Sequence, residues 1–127
     1  MRNFKPSFTP GIIWLIISTV LFCLPGSGFP KENWLEKIWF DKWVHIGIFL
    51  VMVFVWSWAF SGKKYSISRF RVIFFWLALI ALLYGVGMEF IQDKLIPKRD
   101  FDLGDIVADA IGSLAGFVFS AGRFIKK

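Results

Sequence analysis

The chain has 127 residues, of which 57% are hydrophobic and 20% aromatic, and its formal net charge is +6. This composition excludes an ordinary water-soluble domain, because such domains are nearer half apolar. The basic balance does not indicate nucleic acid as a partner, because the Lys and Arg residues flank long apolar stretches instead of forming one patch.

The apolar residues fall into four stretches, each close to the ~20 residues that a helix needs to cross a bilayer. Backbone groups inside lipid have no water to bond, so such segments must be helical. The sequence therefore predicts an all-α membrane protein with a single domain over residues 1–127 and four transmembrane helices. Their approximate ranges are 8–24, 43–60, 70–91 and 103–124.

The first stretch has features of a signal peptide, because Arg2 and Lys5 precede the apolar run Ile12–Leu24. No pair of small residues at the spacing of a cleavage site follows this run, so we expect an uncleaved first helix. Cys23 is the only cysteine, which excludes a disulfide within the chain.

The segment Pro30–Phe40, between the first and second stretches, predicts a short helix lying on the outer membrane surface. Pro30 suits the first turn of a helix. Four apolar residues share one face of this helix and most of the charged residues lie opposite, as in interfacial helices. The apolar residues are Trp34, Leu35, Ile38 and Trp39. A capped loop is the alternative.

The acidic residues predict the orientation of the chain. All nine fall in the segments 32–41 and 89–109. The N-terminal tail, the loop Ser61–Arg71 and the C-terminal tail contain Lys and Arg but no acid. Cytoplasmic segments are enriched in Lys and Arg, so we expect both termini and this loop to be cytoplasmic, with the acidic segments outside.

Polar residues gather at the outward ends of the second, third and fourth stretches and form the candidate binding site. Its members are Asp41, Lys42, His45, Glu89, Gln92, Arg99, Asp102, Asp105 and Asp109. Asp109 lies about 9 Å along the fourth helix, where a carboxylate costs roughly 2.5–3.5 kcal/mol. We expect a cationic partner for it. Arg99 is the best candidate because its fork binds carboxylates, and Lys42 and His45 are the alternatives. The competing interpretation is a purely structural ion network.

The fourth stretch also carries small residues at every fourth position, a spacing that lets two helices approach closely. They are Gly104, Ala108, Gly112, Gly116 and Ser120. We expect this stripe to pack inside the bundle, with Gly85 and Gly87 of the third stretch as its counterpart. A homodimer formed through the stripe is the alternative.

These residues, in this order, resemble those of the VanZ-like family of small bacterial membrane proteins. The likeness covers about the last two-thirds of the chain and rests on Asp41-Lys42-x-x-His45, Glu89-x-x-Gln92, Arg99, Asp102, Asp105, Gly112 and Gly116. Asp109 departs from the family, which usually has Asn there. The resemblance implies a bacterial cytoplasmic membrane protein. The family's namesake is associated with low-level resistance to teicoplanin, a glycopeptide that binds cell-wall precursors.

The leading functional hypothesis is a cell-envelope protein that binds membrane lipids, a lipid-linked wall precursor or a lipophilic glycopeptide. Lys42 and Arg99 would hold phosphate or carboxylate groups, and Glu89 and Asp105 would accept hydrogen bonds from amine or hydroxyl groups. The outer aromatic residues would hold the apolar part of the ligand. These residues are Trp34, Trp39 and Trp43.

An intramembrane enzyme acting on a lipid-linked substrate is the second hypothesis. Glu89, Asp105 or His45 would act as acid or base, and Arg99 would stabilise negative charge. A divalent metal could be held by four side chains: Asp105, Asp109, Glu89 and His45. No nucleophile motif supports a specific chemistry, so the sequence favours a non-enzyme without metal or cofactor.

Proton or ion transport is the third hypothesis, with Glu89 and Asp109 as relay sites. A relay should cross the whole membrane, whereas the ionisable residues lie in the outer half. The sequence therefore disfavours transport.

Overall fold

The computed structural model describes residues 5–24, 40–96 and 101–125, with the backbone alone at positions 40 and 41. Within these ranges the chain forms four helices and no strand, which confirms the all-helical prediction. The helices are α1 (Thr9–Phe22), α2 (Phe40–Ser61), α3 (Ile67–Leu95) and α4 (Leu103–Phe124). The predicted surface helix at Pro30–Phe40 lies outside the described residues, apart from its last position.

Three of the helices are long and apolar enough to cross a membrane, at Lys42–Ser61 within α2 and over the whole of α3 and α4. In contrast, α1 has 14 residues instead of the predicted 17. At 1.5 Å per residue it is about 21 Å long, short of the ~30 Å hydrocarbon core. The 29 residues of α3 exceed its predicted range at both ends.

The helix ends are defined by polar groups that satisfy free backbone donors. The Ser66 hydroxyl accepts a hydrogen bond from the Arg69 N–H at 3.2 Å and begins α3. The Asp102 carboxylate accepts from the Gly104 N–H at 2.8 Å and begins α4. Side-chain acceptors at this position are favourable because the first N–H groups of a helix have no partner inside it.

Two glycines of α4 bring its backbone against α2. A Cβ at Gly112 would lie 3.0 Å from the Ile46 Cα, and a Cβ at Gly116 would lie 2.8 Å from the Leu50 carbonyl oxygen. The same register continues at Phe54, whose ring centroid is 5.1 Å from that of Phe124. The two helices are therefore parallel neighbours that approach closely, which only small side chains permit.

The prediction that the small-residue stripe packs against Gly85 and Gly87 of α3 is wrong. A Cβ at Gly85 would meet the Asp109 carboxylate, and a Cβ at Gly87 would meet nothing within 4 Å. The stripe instead faces α2, where Ala108, Gly112 and Gly116 are buried. These three residues are covered within the single chain, as the prediction of packing inside the bundle requires.

The first helix runs antiparallel to α2 along the other side of the bundle. Gly11 lies against the Trp56 ring, to which a Cβ would come within 2.8 Å. Near the middle of α2, the Trp14 indole N–H donates to the Ile48 carbonyl at 3.0 Å. Pro6 contacts Gly62, so the start of α1 and the end of α2 both lie at the bundle end opposite the starts of α2 and α4.

Candidate functional site

Ionisable side chains from α2, α3 and α4 meet at the bundle end where α2 and α4 begin. We call this group the polar cluster. Its members are Lys42, His45, Glu89, Asp102, Asp105 and Asp109. Four of them are buried, with exposed fractions of 6% for His45, 1% for Glu89, 7% for Asp105 and 1% for Asp109. Such burial is costly unless each charge finds a partner.

Lys42 joins the start of α2 to the start of α4. Its Nζ lies 2.5 Å from Asp102 Oδ2 and 2.6 Å from Asp105 Oδ1, and its side chain remains 23% exposed. Burial by itself raises the pKa of Asp102. The hydrogen bonds from Lys42 and from the Gly104 N–H outweigh this effect and hold the pKa of that carboxyl below its ordinary value. Lys42 and Asp102 thus form the partly exposed rim of the cluster.

His45 and Asp109 form the deepest pair. His45 Nδ1 is 2.7 Å from Asp109 Oδ1, a distance at which the imidazole N–H donates to the carboxylate. The other carboxylate oxygen of Asp109 lies where a Cβ of Gly85 would be, within 2.5 Å, so the absence of a side chain at Gly85 makes room for it. The Phe22 ring covers His45, with centroids 5.1 Å apart.

Glu89 connects α3 to the start of α4. Its Oε2 accepts a hydrogen bond from the Asp102 N–H at 3.1 Å. One ligand atom each of Glu89, His45 and Asp105 lies within 4.8 Å of the other two. An imidazole and two carboxylates at this separation are the kind of group that can hold a cation.

The predicted site residues separate into three groups. The six members of the polar cluster come together as expected. Gln92 is buried, but its amide donates to the Phe22 carbonyl at 2.9 Å and therefore ties α3 to the end of α1. Arg99 and the side chain of Asp41 lie outside the described residues.

In the structure the partner of Asp109 is His45. The sequence favoured Arg99 as this partner, with His45 as one of two alternatives. The spacing indicated which helix faces carry these residues, but not which acid meets His45. Lys42 and His45 are three residues apart, as are Asp102 and Asp105, with Asp109 four further on. Two parallel helices with such stripes can pair residue by residue. The roles of Phe22 and Gly85 had no comparable signal.

An aromatic layer separates the polar cluster from the rest of the bundle. The rings of Phe22, Phe49 and Tyr84 have centroids 6.0 to 6.3 Å apart. The Tyr84 hydroxyl lies 2.6 Å from Thr19 Oγ1, which itself donates to the Leu15 carbonyl. Tyr84 therefore donates to Thr19, and its hydroxyl is satisfied between α1 and α3.

Beyond this layer lies an apolar cleft of about 270 Å³ between α1, α2 and α3. Hydrophobic side chains and the Tyr84 ring form its walls. The lining residues are Leu15, Met52, Val53, Trp56, Leu77, Ile80, Ala81 and Tyr84. The cleft is suited to hydrocarbon and offers no second polar site.

The fold and the site define a class: an all-helical protein with three helices able to cross a membrane and a buried histidine–carboxylate cluster at one end. Comparisons of the chain with protein-family models, curated proteins and solved structures find no match. The likeness to the VanZ-like family therefore rests on the residues quoted above.

Proposed function

We propose that this chain is a VanZ-like protein of the bacterial cytoplasmic membrane and that its polar cluster binds the head group of a membrane lipid or a lipid-linked wall precursor. The observation that supports this proposal best is the convergence of four buried ionisable side chains from three helices. Ionisable groups within membrane segments are costly, and they commonly mark binding or transport sites.

Binding is favoured over transport because the cluster stops at the aromatic layer. Among the described residues, the buried ionisable side chains are His45, Glu89, Asp105 and Asp109, all on one side of that layer. The opposite side contains the apolar cleft. This division suits a lipid whose head group lies at the polar cluster and whose hydrocarbon chain lies along the apolar part of the bundle.

The surface of the bundle favours a ligand that arrives through lipid. The outward face of α4 exposes large apolar side chains, each at least half exposed. They are Leu103, Val107, Ile111, Leu114 and Val118. Such a continuous apolar face suits the hydrocarbon of a bilayer.

The proposed orientation places both termini in the cytoplasm and the polar cluster outside. Lys94 and Lys63 are exposed side chains near opposite ends of α3. With Cys23 replaced by Ser, we expect a membrane-impermeant maleimide to label Lys94→Cys in intact cells. Lys63→Cys should react only after lysis. Labelling in the reverse order would overturn the orientation.

Binding can be tested by native mass spectrometry of the purified chain in detergent. The probes are phosphatidylethanolamine, phosphatidylglycerol, an isoprenyl pyrophosphate and teicoplanin. We expect Asp105→Asn to weaken retention of the bound probe at least about tenfold, because a hydrogen bond to a charged group contributes roughly 1.5–3 kcal/mol.

The matched control is Asp93→Asn, an equal change at an acid outside the cluster, whose carboxylate accepts from the Phe101 N–H at 3.2 Å. This variant should retain the probe as the wild type does. Helix content measured by circular dichroism must be the same in all three proteins. Equal retention of the probe by the wild type and Asp105→Asn would overturn the proposal. If teicoplanin is the only probe retained, the ligand is a glycopeptide and not a lipid.

A further inference from the structure

Three members of the polar cluster have the composition of a metal site. His45 on α2, Glu89 on α3 and Asp105 on α4 are all more than nine-tenths buried. One ligand atom of each lies within 4.8 Å of the other two. Ligand atoms about 2.1 Å from a tetrahedral ion are roughly 3.4 Å apart, so an inward movement of these side chains closes the site.

Each of the three side chains has one atom bonded to a residue outside this group of three. His45 Nδ1 bonds Asp109, Asp105 Oδ1 bonds Lys42 at 2.6 Å, and Glu89 Oε2 accepts from a backbone N–H. These bonds orient His45 Nε2, Asp105 Oδ2 and Glu89 Oε1 as the atoms that can meet an ion. His45 Nε2 and Asp105 Oδ2 are 3.7 Å apart, longer than a hydrogen bond.

The contact between His45 and Asp109 is one that metal-binding histidines commonly make. A histidine that binds a metal through one ring nitrogen usually donates its other N–H to a carboxylate or carbonyl, which fixes the tautomer and the ring orientation. Asp109 is 1% exposed and lies 2.7 Å from His45 Nδ1. Nε2 is then the nitrogen with its lone pair available, and it faces Asp105.

The net charge of the polar cluster also favours binding of a cation. When ionised, its four carboxylates exceed the single charge of Lys42 by three, if His45 is neutral as a metal ligand must be. A divalent cation would offset two of these three charges.

We infer that His45, Glu89 and Asp105 bind a divalent first-row metal ion, with Asp109 as the residue that positions His45. One imidazole and two carboxylates suit Zn²⁺ or Mn²⁺, whereas Ca²⁺ takes six to eight oxygen ligands. The sequence alone favours a protein without metal, and its enzyme alternative makes Asp109 a fourth ligand beside these three; the geometry instead gives Asp109 a positioning role. The metal site does not depend on lipid binding.

The test uses the full chain, purified in detergent and treated with a chelator, and then titrated with ZnCl₂ and MnCl₂ by isothermal titration calorimetry. We expect one ion per chain for the wild type and no measurable binding for His45→Ala or Glu89→Gln. Asp109→Asn should keep one ion per chain but bind it about 10–100-fold more weakly, as expected for a residue that orients a ligand.

Asp93→Asn is the matched control and should bind the ion as the wild type does. Replacing Zn²⁺ with Co²⁺ gives a visible absorption spectrum that reports the coordination geometry, and this spectrum should change in Asp109→Asn. If His45→Ala does not fold, Glu89→Gln decides, because it removes a buried charge at nearly constant volume.

The metal site is overturned if the wild type binds neither ion, or if a folded His45→Ala or Glu89→Gln binds as the wild type does. Metal binding without retention of any lipid would remove the proposed function alone. Lipid retention without metal binding would remove the metal site alone.

Discussion

Replacing Lys42 with Met is expected to destabilise the folded protein by about 2–4 kcal/mol. Lys42 bonds both Asp102 and Asp105, so its loss leaves two carboxylates next to the buried Glu89 and Asp109 without that cation. Breaking a fully buried pair costs roughly 3–5 kcal/mol. We expect a smaller cost for Lys42→Met than for breaking a fully buried pair, because the Lys42 side chain is 23% exposed. The measurement is the free energy of unfolding in detergent, followed by tryptophan fluorescence.

Lys94→Met is the matched control for this prediction. The Lys94 side chain is 74% exposed and lies 3.8 Å from Asp93, and exposed pairs contribute about 0–1 kcal/mol. Adding Asp105→Asn to Lys42→Met should recover part of the loss, because it removes one of the uncompensated charges. Equal stability of Lys42→Met and Lys94→Met would show that Lys42 does not hold the cluster together.

Gly112→Leu is expected to prevent folding, with a destabilisation at or above the roughly 1–3 kcal/mol that overpacking usually costs. The added side chain would overlap the backbone of Ile46 and the Phe49 side chain, 3.0 Å from the Cβ position. Backbone cannot move aside as a flexible side chain can. The measurement is the yield of monodisperse protein after extraction, together with its melting temperature.

Gly122→Leu supplies the control on the same helix, since a Cβ at Gly122 would meet nothing within 4 Å. It should fold with nearly the yield of the wild type. Gly112→Ala should fall between the two, because it adds only the first carbon. If Gly112→Leu folds as well as Gly122→Leu, the close contact between α2 and α4 is not required for the fold.

Much of the site could be predicted from spacing along single helices. Asp102, Asp105 and Asp109 recur at intervals of three and four, so they lie on one face of α4 whatever that helix contacts. Three-residue spacing likewise puts Lys42 and His45 together on α2. The bundle does bring these faces together, at the end where both helices begin.

The pairing between helices could not be predicted in the same way. Which acid meets His45 depends on how far α4 is shifted and rotated relative to α2. That offset is set by the contacts of Gly112 and Gly116 with the α2 backbone. The spacing of residues along one helix does not determine this offset between two helices. The preference for Arg99 as the partner of Asp109 rests only on the chemistry of the guanidinium group.

By itself, the sequence determined that this protein is helical, that its long segments can cross a membrane and that its acids gather at one end. Apolar length and residue spacing are properties of single segments, and lipid leaves an isolated segment no alternative to the helix. The tertiary structure decided the rest. It paired Asp109 with His45, assigned Gly85 to the Asp109 carboxylate and turned the small-residue stripe toward α2, because these contacts depend on close approach between different helices.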